Sequence, residues 1–190
     1  MRMLTHRLLL AGSAMVVAVG LLCGCTPAAP TPTPTRTPAA THSPVFASDA
    51  DALKAATDAY AAYLKMSDTI AHDGGKDPER IKPFVTAAWY EVQLKDLNTL
   101  HAKGYKAVGD SEFDKPTLRN SSTDVSGRAR VGVYLCVDVS KVRLVNSAGA
   151  DVTPATRHDR LPLQVEFQAN ASSSKLLIDK SEVWTGKNFC

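Results

Sequence analysis

Gly104 divides this chain by its hydrophobic period, and the division limits the fold more than any other feature. Before it, apolar residues recur at helical spacing; after it, they alternate one by one. Helices followed by a run of strands do not make the alternating strand–helix units of a parallel sheet. They predict an α+β domain, with N-terminal helices packed on a curved antiparallel sheet.

In the helical half, Ser48-Asp49-Ala50-Asp51 has the spacing of a capping box and starts a first helix. Leu53, Ala56, Tyr60, Tyr63, Leu64 and Ile70 then share one face. The helix stops at Asp73-Gly74-Gly75, where glycine tolerates the left-handed exit conformation. Asp77-Pro78-Glu79-Arg80 opens a second, short helical piece with Pro78 at a favoured first position, and Pro83 is expected to interrupt it. A third helix is expected from about Thr86 to Lys103. Its apolar stripe (Val85, Trp89, Tyr90, Val92, Leu94, Leu97, Leu100) covers half the circumference, as for a helix lying in the hollow of a curved sheet with contacts on two sides.

In the other half, strands are expected at Tyr105–Val108, Pro116–Ser122, Val131–Val139 and Val142–Val145. A turn at Asn146–Asp151 follows. Leu161, Leu163, Val165 and Phe167 alternate with Gln164, Glu166 and Gln168, which buries one face and wets the other. A further turn at Asn170–Ser174 leads into a last strand, Leu176–Trp184. The sequence has no internal repeat.

Two N-terminal segments stand apart from this domain. Arg2, His6 and Arg7 precede Leu8–Leu22, 15 residues without a charge. A membrane-spanning helix needs about 20, whereas the apolar region of a signal peptide needs about 7 to 15. The stretch ends in Leu22-Cys23-Gly24-Cys25, which resembles the bacterial lipobox. Residues 1–24 therefore read as a lipoprotein signal peptide, with Cys25 receiving palmitate-type acyl chains. Cys23 is the alternative acceptor, but it would put Leu22 where the peptidase expects a small residue. An uncleaved anchor helix and plain secretion are the other readings.

Residues 25–47 follow as a tether. Thr26–Ala47 holds six of the chain's 11 prolines; such a tract forms neither helix nor sheet and extends as a spacer of up to roughly 70 Å. These features place residues 48–190, the globular domain, on the outer face of a bacterial cytoplasmic membrane. The membrane, met through the lipid anchor, is the first expected partner. The net charge of +3 falls to +1 without Arg2 and Arg7, since 20 Lys/Arg then face 19 Asp/Glu. A near-neutral chain makes no electrostatic case for nucleic acid.

In such an oxidising setting Cys136 and Cys190 are most simply a disulfide, because lipid consumes Cys25 and leaves an even count. A loop of about 55 residues closed this way is worth roughly 4 kcal/mol in the chain-entropy model. The alternative, a catalytic thiol or redox pair, lacks a CxxC spacing.

From Ser48 onward the order of elements resembles the NTF2-like (cystatin-like) superfamily, and more narrowly small lipoproteins of actinobacterial type. The resemblance is carried by VYLCVDVSKVRLVNSAGADV (Val133–Val152), RLPLQVEFQ (Arg160–Gln168) and SEVWTGKNFC (Ser181–Cys190). It implies a cone-shaped sheet and a function that ranges from lyase or isomerase to non-enzymatic binding module. Fold alone does not choose between them.

Tyr60, Tyr63, Trp89, Tyr90 and His101 are the candidate pocket residues; core packing is the competing reading of the four aromatics. His42, His72, His101 and His158 show no metal-ligand spacing, and neither a metal nor a cofactor is implied. His158 with Asp159 would make an acid–base pair, or simply a charged loop. Asp138 falls on the face opposite Val137 and Val139, so no carboxylate is placed inside the sheet for a lyase or isomerase. No catalytic residue is assigned. The expected function is binding a small apolar ligand or an envelope protein, with NTF2-like lyase or isomerase chemistry as the alternative. A purely structural or accessory role is the third reading.

Overall fold

The computed structural model describes residues 45–170 and 174–190. The signal segment, Cys23, Cys25, His42, all of the tether before Val45 and positions 171–173 of the last turn lie outside the described residues.

Helix α1 (Asp49–His72) begins as its capping signal predicts. The Ser48 hydroxyl accepts from the Asp51 amide at 3.1 Å and donates to the Asp51 carboxylate at 2.7 Å. Ala52, Ala56, Tyr60, Tyr63 and Ile70 form its buried face. Just before it, Phe46 is half-buried against the same core, so apolar packing starts two residues ahead of Ser48. The α1 exit uses Gly74 and Gly75 at φ 70 and 75. Gly75 is required twice over, because a Cβ there would clash with the backbone carbonyl of Leu97.

The short second piece is a 3-10 helix, Pro78–Phe84, and it runs through Pro83 rather than stopping there. Each turn of such a helix is closed by its own i to i+3 bond, so the amide missing at Pro83 removes one bond and leaves the others. Fully buried Ile81 anchors the piece.

Helix α2 (Ala87–Ala102) is capped by the Thr86 hydroxyl, which accepts from the Trp89 amide at 3.3 Å. Its wide stripe is not enclosed. Leu97 alone is buried in α2, and Val92 is 44% exposed. The helix that covers the sheet is α1, which lies against its strands, while α2 packs on the 3-10 helix and one edge of the sheet. Ala52 and Ala56 let α1 approach closely, and with that side of the sheet filled, the outer flank of α2 stays wet.

The main sheet consists of β2 (Glu112–Thr123), β3 (Ala129–Asp138), β5 (Arg160–Ala169) and β6 (Leu176–Val183), in the order β2-β3-β5-β6, antiparallel throughout. β1 (Lys106–Val108) and β4 (Arg143–Val145) form a separate antiparallel ribbon. β2 starts four residues earlier than the apolar pattern suggests and carries two register shifts, near Lys115 and near Arg119. Lys115 has a left-handed φ of 53, the bulge conformation that bends a strand.

On the helix-facing side, Ala129, Val131, Val133 and Leu135 of β3 meet Val165, Phe167 and Ala169 of β5 and Leu176 and Ile178 of β6. Each large side chain buried there contributes about 1.5–3 kcal/mol. The opposite side of β3 is polar, with one gap. Gly132 has no side chain because the Arg119 guanidinium crosses above it to pair with Glu166.

Cys136 of β3 is bonded to Cys190, 54 residues on, with Cα atoms 5.6 Å apart. The bridge folds the C-terminal segment onto the polar side of the sheet. There Trp184 and Phe189 stack edge-on against Tyr134 at 5.1 and 5.8 Å, and the Lys115 ammonium donates to the carbonyls of Phe189 and Cys190 at 3.2 and 3.3 Å.

Candidate functional site

Asp68 and His72 lie four residues apart near the end of α1, so they project from one face. The Gly109–Ser111 turn between β1 and β2 folds against that face. Ser111 donates twice to Asp68, through its amide at 2.9 Å and its hydroxyl at 2.8 Å. His72 Nε2 lies 2.8 Å from the Gly109 carbonyl and 3.6 Å from the Asp110 carboxylate. Burial pushes the Asp68 carboxyl above its ordinary value, and the nearby Asp110 charge adds to it; the two Ser111 donors and His72 pull the other way.

His72 stands on the boundary between two clefts. One, of about 490 Å³, runs along α1 past Leu64 and Asp68 to Phe113 and Glu112. The other, of about 570 Å³, lies between the exits of α1 and α2 and the Asn146–Gly149 turn. Both volumes are in the range of small-molecule sites. The first can hold a ligand with an apolar body against Leu64 and Phe113 and a polar end at Asp68 and His72. The second is lined by charged and polar side chains, three glycines and the Tyr105 ring.

The five residues singled out in the sequence do not share one cavity. Tyr60 and Tyr63 belong to the core cluster, Tyr60 packing edge-on against Phe113 at 4.9 Å. Burial pushes both phenols up, Tyr63 to about 12. The Tyr63 hydroxyl donates to Gln93 at 2.8 Å. Trp89 is half-buried on the same core. Tyr90 lines a third, smaller cleft of about 370 Å³, with the Lys82 ammonium 4.7 Å from its ring centroid. His101 is exposed at the far end of α2, its Nδ1 3.1 Å from the Gly74 carbonyl, in the cleft between the helix exits.

His158 is exposed, and its neighbour Asp159 pairs with Arg157 at 2.8 Å instead. Asp138 points to the polar side of the sheet. The Ser140 hydroxyl and amide, then the Arg160 guanidinium at 2.8 Å, hold its carboxyl low, at about 2. Among the described residues no three His, Cys, Asp or Glu side chains are grouped so as to hold a metal ion.

Asp68, His72, Asp110 and Ser111 are the site residues that sequence reasoning did not select. The Asp68–His72 spacing is readable in the chain. The approach of Ser111, 43 residues from Asp68 in sequence, is not.

No protein-family model matches the chain, and neither does any curated protein. Among solved structures it is similar in outline to the intermembrane space region of the chloroplast protein ARC6 (TM-score 0.49, 12% identity, covering 69% of this chain and 95% of that one). It is also similar to a periplasmic fragment of TraM (TM-score 0.47, 14% identity, 72% and 96%) and to the periplasmic domain of DotI (TM-score 0.46, 17% identity, 73% and 96%). These are likenesses to α+β domains at low identity, and nothing about the clefts follows from them.

Proposed function

We propose that the chain is a bacterial lipoprotein, anchored through Cys25 on the outer face of the cytoplasmic membrane, whose NTF2-like domain binds a ligand or envelope partner. The observation that carries the extracytoplasmic part is the Cys136–Cys190 bridge, because disulfides persist where thiols are not kept reduced. The lipid anchor rests on the uncharged stretch ending at Cys25. The binding role rests on the two clefts that flank His72, and the NTF2-like kinship on the order of helices and antiparallel strands.

Mass spectrometry of the mature protein tests the anchor, with an acylated Cys25 as the expected N-terminus. A Cys25→Ser variant is expected to leave the membrane fraction or to stay unprocessed. An unmodified N-terminus, or a domain recovered from the cytosol with free thiols, overturns the reading.

A second reading, lyase or isomerase chemistry, is favoured by one observation: Asp68 is a half-buried carboxylate with a raised pKa, beside a histidine, on a cleft. In that case Asp68→Asn abolishes turnover of the substrate while leaving the fold intact. In the binding reading the same substitution changes affinity only.

A further inference from the structure

We propose that the cleft between the two helix exits and the Asn146–Gly149 turn binds a small anionic carbohydrate, a sugar bearing a carboxylate or a phosphate. The inference rests on the binding-module reading above and gives that module a ligand class.

The charges of the cleft select the anion. Asp73 is neutralised by Arg80 at 2.7 Å. The ammonium groups of Lys76 and Lys106 have no hydrogen-bond or ion-pair partner among the described residues, so two free cations face one free carboxylate, Asp77, and leave the cleft wall one positive charge in excess. Three carbonyls in the last turn of each helix are already engaged, which weakens the negative field that a helix C-terminus sets against an anion. The last-turn carbonyls of α1 already accept from the amides of Asp73, Gly74 and Gly75, and those of α2 from Lys103, Gly104 and Tyr105.

The remaining groups suit hydroxyls. Asp77 adopts a left-handed backbone, φ 49, that is uncommon for a residue with a side chain, and its carboxylate is an unmatched acceptor among the described residues. Asn146 Oδ1 is occupied by the amides of Ala148 and Ala150 at 3.0 Å, which leaves its NH₂ as the donor available to a ligand. Exposed Ser147 adds a hydroxyl, and the Tyr105 ring is the apolar wall. Gly104 and Gly149, both at positive φ, have open space where a Cβ would stand, which keeps the entrance wide.

The test is calorimetric titration of the full chain in detergent micelles at low salt, with galacturonate, glucose 1-phosphate, glucose and inorganic phosphate as probes. The two acidic sugars are expected to bind with dissociation constants on the order of a millimolar. Glucose and inorganic phosphate should bind about tenfold more weakly, lacking the anion and the hydroxyls respectively. Lys76→Ala and Lys106→Ala should each weaken acidic-sugar binding about fivefold without lowering thermal stability. Lys141→Ala, outside the cleft, serves as the control with unchanged affinity.

Binding of one acidic sugar alone supports the site and tells carboxylate from phosphate as its anion. No saturable binding of either acidic sugar overturns the proposal. So does equal binding of glucose, equal binding of inorganic phosphate, or indifference to both lysine substitutions. None of these outcomes bears on the acylation of Cys25, so the cleft and the anchor stand or fall separately.

Discussion

The two faces of the central strand β3 are built on opposite principles. Toward the helices, Val131, Val133 and Leu135 are buried among Phe167, Val165 and Ile178, and their stabilisation comes from apolar surface removed from water. Away from them, Arg119 pairs with Glu166, Arg130 with Asp179, and Arg160 with Asp138 and Asp114, while a disulfide pins the C-terminal segment over Tyr134. The polar face has matched its charges internally and holds its shape through a covalent bond and half-exposed ion pairs, which are individually weak. Stability therefore resides mostly on one side of the sheet. The clefts around His72 lie beyond both faces, at the end of the fold where α1, α2 and the β1–β4 ribbon meet.

Substitution on the two faces should expose that asymmetry. Phe167→Ala, on the inner face, is expected to cost about 3–5 kcal/mol, read from the midpoint of urea unfolding. Gln164→Ala, three strand positions away on the polar face, should stay within about 0.5 kcal/mol. Equal losses at the two positions would break the contrast.

Next in size is the bridge. Cys190→Ser should lower stability by about 2–4 kcal/mol, and reduction of the wild type should reproduce that loss. A variant as stable as the oxidised protein would show that the C-terminal segment is held by its aromatic contacts instead.

Gly132→Val sharpens the polar side. The new side chain must displace both the Asn120 amide and the Arg119 guanidinium, so a loss of about 1–3 kcal/mol is expected, with the Arg119–Glu166 pair broken. A crystal structure of the variant, or a double-mutant cycle with Glu166→Gln, reads whether the two sites are coupled.

The smallest effects are those of pH, and they have opposite signs at two carboxylates. The folded Asp138 carboxyl lies below its ordinary value, so its contribution is present above about pH 4 and is lost as pH falls toward 2. The folded Asp68 carboxyl lies above its ordinary value, so its contribution favours the fold below about pH 4 and is lost as pH rises through the folded value. Asp138→Asn should thus lower the melting temperature at pH 7 and not at pH 2. Asp68→Asn should raise it slightly at pH 7, since Ser111 keeps an acceptor and the disfavoured charge is gone. Matching shifts of one sign would refute the assignment of these two environments.

Much of this architecture is legible along the chain because it depends on near neighbours. The Ser48 cap, the Gly74–Gly75 exit and the alternation in β3 and β5 each act within a few residues. The Cys136–Cys190 pairing is legible for another reason, since counting cysteines in an oxidising compartment leaves one partner. The site was less legible. Tyr60, Tyr63 and Trp89 fit both a core and a pocket reading, core packing the weightier of the two, and packing sends the two tyrosines inward. His101, expected with the aromatics in one pocket, lies apart from them at the end of α2, on the cleft between the helix exits.

What the sequence determined alone is the order of helices and strands and the inner face of each, because hydrophobic period and turn chemistry act locally on the backbone. Which helix covers the sheet, and which carboxylate meets which hydroxyl, was decided only in three dimensions. The close approach of α1 leaves the outer flank of α2 wet, and folding of the β1–β2 turn onto α1 brings Ser111 to Asp68 across 43 residues of chain. Contacts of that kind depend on the shape of the space left between packed elements, which no local pattern of residues encodes.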